Sequence, residues 1–395
     1  MNKIADVVVV GGGIIGCSVA YCLAKKGVKI IVVEKKEGLS FGASGANQGG
    51  CALQLFESPV LELARESLKL YKNLSEEIGY DIEYENVGSL VCSVDEKQFS
   101  DMEKHVQNKR REGINVRLIE GDELRRLEPT LGKNVIVGVE EWHSCTVNPF
   151  KVNYGFAYVA KKLGTEFLFS TQVKKIETDK DKITFVITDR EKIKTNFVVN
   201  CTGAWASEIG KMLGLTLPIR ARRGQIIVTE PVPLNERWRY ILDADYLTTA
   251  FNLEAVEKSK DPRIKLGVAG SYIQENSGNW TIGSSRDFAG YNSRITMQTI
   301  RYIAKRVIRF MPKLKDISCI RTFAGLRPFC YVDGLPILSK INNPQNFVIA
   351  TGHAGEGISL APITGKLISE LITESRTSLS IDAFSFSRFK KYNLN

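Results

Sequence analysis

Apolar positions along the chain alternate between two periods. Short β-branched runs, of the kind that form strands buried on both faces, give way to stretches with apolar residues at helical spacing. Asp6 to Glu34 sets the pattern. Val7–Val10 reads as a strand, Gly11-Gly12-Gly13-Ile14-Ile15-Gly16 as a turn, and a helix-compatible segment runs on to Lys26. Gly27 stops it, and Val28–Val33 forms a second strand ending at Glu34. Further on, Leu61–Ile78 has helical spacing and ends at Gly79, Asn86–Cys92 predicts a strand, Gln98–Glu112 a charged amphipathic helix and Gly121–Leu127 a short one. The texture change from Asp81 to about Glu141 marks part of a second domain inserted into the first. Phe150–Leu163 then predicts a helix, Glu166–Glu177 a strand, and Ile183–Ile187 with Ile193–Val199 a hairpin-like pair. Arg220–Pro231 opens a β-rich section that continues through Gly267–Gly270 and Trp280–Asp287. Thr296–Met311 predicts a basic amphipathic helix with its basic residues on a solvated face, stopped at Pro312, and Phe347–Ile372 reads as strand, Gly-rich turn and helix.

The first unit carries chemistry. Strand, Gly-x-Gly-x-x-Gly turn, helix, strand and terminal acid stand in the order a dinucleotide site requires. Gly11 permits the tight turn, Gly13 lets backbone approach a pyrophosphate, and Gly16 lets the helix pack close to the strand. Free N–H groups at the helix start face the phosphates, and Glu34 can accept from ribose hydroxyls. A second Gly-rich loop, Phe41–Gly50, follows the ribose strand directly, with Ser44 and Asn47 as polar contacts; Phe197–Ser207 offers another strand-to-turn approach. Ile4–Ala24 is apolar enough to imitate a signal region or membrane span, but Asp6 and three central glycines exclude that reading. The motif does not distinguish a nicotinamide from a flavin.

Composition, with 43% hydrophobic and 25% charged residues, is that of a folded globular protein with room for two domains. The formal charge of +10 is spread among acids without a basic tract, so it points to a general attraction for anionic substrates or acidic partners and not to nucleic acid. The eight cysteines form no Cys-x-x-Cys and the three histidines are far apart, so no metal site is expected. Reduced thiols in a cytoplasmic protein, without a cleavable leader, are the expectation.

Taken together, GGGIIG (Gly11–Gly16), GASGANQGG (Gly42–Gly50), VNCTGAWA (Val199–Ala206), RGQIIVTEP (Arg223–Pro231), IGSSRDF (Ile282–Phe288), AGLRPFCYVDGLPIL (Ala324–Leu338) and ATGHAGEGISLAPITGKLISELI (Ala350–Ile372) resemble the D-amino-acid-oxidase superfamily of FAD enzymes. Within it the chain is most similar to the glycine/sarcosine oxidase branch and the β subunits of proline, hydroxyproline and opine dehydrogenases. The resemblance implies an α/β fold in which a Rossmann-like FAD-binding domain (residues 1–80, 142–220 and 320–395) interweaves with a mixed-sheet, α+β substrate domain (81–141 and 221–319). It implies that Gly11, Gly13, Ile14, Ile15 and Gly16 meet the pyrophosphate, and Glu34 with Lys35 the adenosine ribose. Ser44, Gly45, Asn47, Gln48 and Gly49 would line the pyrophosphate and isoalloxazine side, Val173 would meet adenine through its backbone, and Gly203 and Trp205 would pack on the dinucleotide. His353, Gly355, Gly357, Ile358 and Ser359 would sit at the pyrimidine end of the flavin, where a helix N-terminus stabilises negative charge on the reduced ring.

Arg327 is the implied anchor of the substrate carboxylate, since a guanidinium fork binds both oxygens. Arg286 is a weaker candidate, and Tyr246, Tyr272 and Trp280 either line the cavity or pack the sheet. The implied reaction is hydride transfer from Cα of an amino or imino acid to flavin N5, with electrons passed to a protein or quinone-type acceptor. An oxygen-using oxidase is the alternative, and a flavin-binding assembly or electron-relay subunit is the alternative of another class. His353 would tune the ring or a proton relay, or simply hold a structural hydrogen bond. Cys330 stands three residues before Asp333, away from where a flavin-linking cysteine would align, so FAD is expected to be non-covalent. Acid precipitation should therefore leave the yellow colour in the supernatant; a yellow pellet would contradict this.

Overall fold

The computed structural model describes residues 3–233, 239–374 and 376–392. In chain order, the elements that build the site are β1 (Lys3–Val10), α1 (Ile14–Ala24), β2 (Ile30–Val33), β3 (Lys192–Asn200), β4 (Ile219–Pro231), β5 (Cys319–Cys330), β6 (Phe347–Thr351) and α2 (Gly357–Thr373). Two eight-stranded sheets share the chain. The first is centred on β1, which runs parallel to β2 on one side and to β3 on the other, with β6 parallel to β3 beyond it. Val8 faces Ile31 and Val198 across these ladders, and every residue of β2 is buried, as expected of strands covered on both faces. α1 and α2 pack on this sheet so closely that Ser18 Oγ donates to the Ala361 carbonyl at 2.7 Å.

The second sheet places β5 at its edge beside β4, followed by 279–283, 271–274, 240–243, 89–93, 137–141 and 116–120. Strands from before residue 142 thus join strands from after residue 218, which is possible because Ser89–Ser93 runs parallel to Tyr240–Asp243. The β4–β5 pair is long and antiparallel, in register from Ile219 opposite Cys330 to Val228 opposite Arg321. A bridge from Phe329 to His353 ties its end to the turn before α2. The two sheets therefore meet where β5 passes that turn.

Three sequence expectations need correction. Glu166–Glu177 is two strands, Glu166–Leu168 beside β2 and Val173–Asp179 in a hairpin with Lys182–Thr188. The break comes where Ser170, at φ 48°, and Thr171 donate their N–H groups to the carbonyls of Lys36 and Glu34. The polar pair Ser170-Thr171 is too short to interrupt an apolar pattern, so the strand looked continuous. The β-rich section after Pro231 contains the short helices Asp245–Phe251, Leu253–Lys258 and Pro262–Lys265. Asn252 and Asp261 cap the last two, and the Gly267–Gly270 stretch precedes a strand that starts at Ser271. Leu61–Ile78 breaks at Asn73 into two helices before Gly79, whose left-handed φ of 59° ends the second.

The helix Met297–Phe310 does carry Arg301, Lys305 and Arg309 on a solvated face, but Arg306 turns inward. Its Nη2 reaches Asp243 Oδ1 at 2.8 Å and Asp245 Oδ2 at 3.0 Å, and Asp243 is wholly buried. Removing one partner of such a pair strands a buried charge. Arg306→Ala should lower the urea-unfolding free energy of the holoprotein by about 3–5 kcal/mol, and an unchanged midpoint would contradict the pairing.

Candidate active site

A long cavity of about 1780 Å³, counting its open mouth, runs from the start of α1 to the β4–β5 pair. Its first end is a backbone cradle. Gly11 has φ 108°, and a Cβ there would lie 2.6 Å from the Cys201 carbonyl oxygen. Gly13 is the N-cap of α1, Ile14 N–H donates to Ser44 Oγ at 2.9 Å, and no acid occupies the first turn. The positive end of the helix is thus presented to the cavity. Glu34 lies at the same end and accepts from the N–H groups of Gly12 (2.7 Å) and Lys36 (2.8 Å). The Lys35 ammonium sits 3.7 Å above the Trp205 ring, and both residues line the cavity with Val173 and Gly203.

The middle of the wall is the loop Gly42–Gly50, and its amides work as fasteners. Asn47 Nδ2 donates to the Gly355 carbonyl at 3.1 Å, and its Oδ1 receives Gly49 N–H at 2.7 Å. Gln48 Nε2 donates to the carbonyls of Ser271 (2.9 Å) and Thr281 (2.7 Å). The loop is thereby tied to the turn before α2 and to the second sheet.

The far end gathers charge. Arg327 projects from β5, donating through Nη1 to the Ser285 carbonyl at 2.8 Å and through Nη2 to Ser284 Oγ at 3.0 Å. It lies across Gly224 of β4, where a Cβ would come within 2.0 Å of Nη1. Burial, reinforced by Arg286, draws its pKa down to about 10, which leaves it charged at neutral pH. Tyr246 lines this end, with the Arg286 guanidinium 3.9 Å from its ring centroid. The Tyr246 hydroxyl donates to Glu356 Oε1 at 3.3 Å. Arg222 is occupied elsewhere, donating to the carbonyls of Thr249 (2.8 Å) and Ala250 (3.0 Å) and so holding the helix that carries Tyr246.

His353 is buried, with Nε2 3.1 Å from Thr364 Oγ1, and burial draws its pKa down to about 4. It is a neutral ring fixing the turn before α2. Of the sequence-derived residues, Gly11, Gly13, Ile14, Ile15, Glu34, Lys35, Ser44, Asn47, Gln48, Val173, Gly203, Trp205, Arg327, His353, Gly355, Gly357 and Ile358 share the cavity wall. Gly16, Gly45, Gly49 and Ser359 stand off it. A Cβ on Gly16 would meet the Gly11 carbonyl oxygen at 1.9 Å, one on Gly45 the Ser40 oxygen at 2.1 Å, and one on Gly49 the Val147 oxygen at 1.9 Å. Those glycines serve close backbone packing, and Ser359 Oγ donates to the Gly50 carbonyl. Tyr272 and Trp280 are core residues of the second sheet. Cys330 is buried against Asp333, away from the cavity wall. Sequence reasoning missed Tyr240, Ser284 and Glu356; only Glu356 had a visible signal, a lone acid inside the Gly-rich turn His353–Gly357.

The chain belongs to the FAD dependent oxidoreductase family (DAO), whose pattern matches residues 6–371. It is 28% identical to the hydrogen cyanide synthase subunit HcnC of Pseudomonas aeruginosa, over 99% of this chain and 97% of that one. It is 27% identical to the glycine oxidase of Geobacillus kaustophilus, over 97% of each. Among solved structures, the L-proline dehydrogenase from P. horikoshii superposes with a TM-score of 0.87 at 26% identity, covering all of both chains. The protein is an FAD-dependent oxidoreductase. The wall described above fits that cofactor: a glycine cradle and a helix start without acids suit a pyrophosphate, Glu34 lies at the same end for a ribose, and the wall continues to Arg327.

The pKa of His353 carries a pH prediction. Between about pH 6.5 and pH 4 the unfolded chain takes up a proton that the native ring refuses, so stability falls as pH falls through that window. His353→Gln, which keeps a hydrogen-bonding atom near Thr364, should remove up to about 3 kcal/mol of that acid loss. His105, also drawn to about 4 by burial, retains its own share. Urea midpoints of the two proteins at neutral pH and near pH 4.5 check this; identical acid losses would contradict a neutral buried ring.

Proposed function

We propose that the enzyme oxidises an amino or imino acid of the proline, hydroxyproline, sarcosine/glycine or D-amino-acid type to its imine. The observation that carries this reading is the Arg327 guanidinium, fixed by Ser284 and Ser285 at the cavity end opposite the glycine cradle. Bound FAD supplies the acceptor for the hydride that leaves Cα. The chain's own residues bind and orient. Arg327 pairs with the substrate carboxylate, a geometry that Gly224 permits by leaving space for the guanidinium. Tyr240 and Tyr246 narrow the far end, and burial excludes water, so that Cα is presented in one orientation. The first turn of α2 holds no acid, and the residue that caps it is Glu356.

In this reading residues 1–80, 142–220 and 320–395 hold the cofactor, with Gly11, Gly13, Glu34, Val173 and Gly203 along its adenosine half, while 81–141 and 221–319 cover the substrate. Electrons pass to a protein or quinone-type acceptor, in the cytoplasm or at the inner face of the membrane. The likeness to a subunit of hydrogen cyanide synthase supports a companion subunit. No described helix is long and apolar enough to cross a membrane. The likeness to glycine oxidase favours the second reading, direct use of oxygen. Turnover with oxygen compared with an artificial dye separates the two.

Anaerobic addition of proline, hydroxyproline, sarcosine, glycine, D-amino acids and opines to the yellow holoenzyme should bleach the flavin with at least one of them. Arg327→Ala should keep the flavin spectrum and lose at least about 30-fold in kcat/KM, the equivalent of about 2 kcal/mol for an unpaired buried carboxylate. Unchanged turnover in that variant would place the substrate elsewhere and support a subunit whose flavin only relays electrons.

A further inference from the structure

The far end of the cavity holds a second charged group that carboxylate binding leaves unused. Glu356 follows Gly355, whose backbone lies against Arg327: a Cβ on Gly355 would be 3.3 Å from Arg327 Nε. The turn therefore sets a carboxyl group beside a guanidinium in one wall. The two do not pair. Among the described residues no cationic nitrogen comes within 4 Å of the Glu356 carboxylate, and its side chain has a single hydrogen bond, the 3.3 Å contact from Tyr246. A half-buried carboxylate with one long bond has acceptor capacity left for a ligand in the cavity. An amino acid has the matching shape, with an anion and a cation on one Cα.

Resting on the amino-acid reading above, we propose that Glu356 receives the ammonium group of the incoming substrate and accepts its proton while Arg327 takes the carboxylate. One N–H bond of the ammonium breaks and an O–H bond forms on Glu356. The lone pair left on nitrogen becomes the C=N π bond as the Cα hydride departs with its electron pair to the cofactor. The electrostatics suit a proton that is held and then returned. Burial raises the pKa of Glu356, and the guanidiniums of Arg286 and Arg327 and the Tyr246 hydroxyl pull it back. The other titratable groups facing it add no competing base: His353, on its own turn, is neutral, and burial raises the phenols of Tyr240 and Tyr246.

The test uses Glu356→Gln holoenzyme with its flavin spectrum intact. In the wild type, the rate of anaerobic bleaching divided by substrate Kd should be nearly flat from about pH 7 to the pKa of the free amine. In the variant it should climb about tenfold per pH unit across the same range, because only substrate already deprotonated in solution reacts. A readout independent of turnover is the proton count on binding 2-aminoisobutyrate, which has no Cα hydrogen, by calorimetry in buffers of different ionisation heat. The wild type should release no proton, and the variant about one per ligand. A variant with the wild-type pH profile, or one slowed equally at every pH with no proton release, overturns the proposal and leaves the amino-acid reading standing. Failure of every amino acid to bleach the wild type overturns both.

Discussion

The reacting end of this molecule depends on one constraint, the pinning of the Arg327 guanidinium. A half-buried cation has to be held by polar partners, and Arg327 finds a carbonyl and a hydroxyl in the segment after strand 279–283, which lies beyond β4. In the β4–β5 pair Gly224 stands diagonal to Arg327, two residues along from its partner Arg222, and its missing side chain leaves room for the guanidinium. The same strand, through the Phe329–His353 bridge, fixes the turn that starts α2. The proposed substrate anchor and the helix α2 are thus set by one piece of backbone.

The other end follows a simpler rule. Backbone can approach a pyrophosphate only where side chains are absent, and the glycines of the first turn divide that work. Gly11 and Gly13 face the cavity, whereas Gly16 sits behind them and sets the distance from α1 to β1. The Gly42–Gly50 loop repeats the division: Ser44 meets the helix start, Asn47 and Gln48 fasten the loop to distant elements, and Gly45 and Gly49 allow it to fold tightly. Small residues here make room for other backbone as often as for ligand.

Local pattern made the adenosine end legible. Strand, glycine turn, helix and acid are contiguous in sequence, and their periodicity marks each boundary. The far end of the cavity is built from positions on separate elements, such as Arg222, Tyr246 and Arg327, and no local period reports that they converge. Arg327 was reachable only through a motif resemblance. Glu356 was in plain view but its neighbours were not, and Arg306 looked like a solvated base because Asp243 lies on another element. The split of the 166–177 strand escaped notice because a left-handed turn at Ser170 has no apolar signature.

The central claim is that opposite charges on Arg327 and Glu356 receive the two ends of an amino acid at the inner end of the FAD cavity. A crystal structure of the holoenzyme with an unreactive α,α-dialkyl amino acid tests it most directly. The account predicts the carboxylate on Arg327 and the amine turned towards Glu356, with Cα between them and the flavin face. A carboxylate bound away from Arg327, with that guanidinium still held only by Ser284 and Ser285, would contradict it.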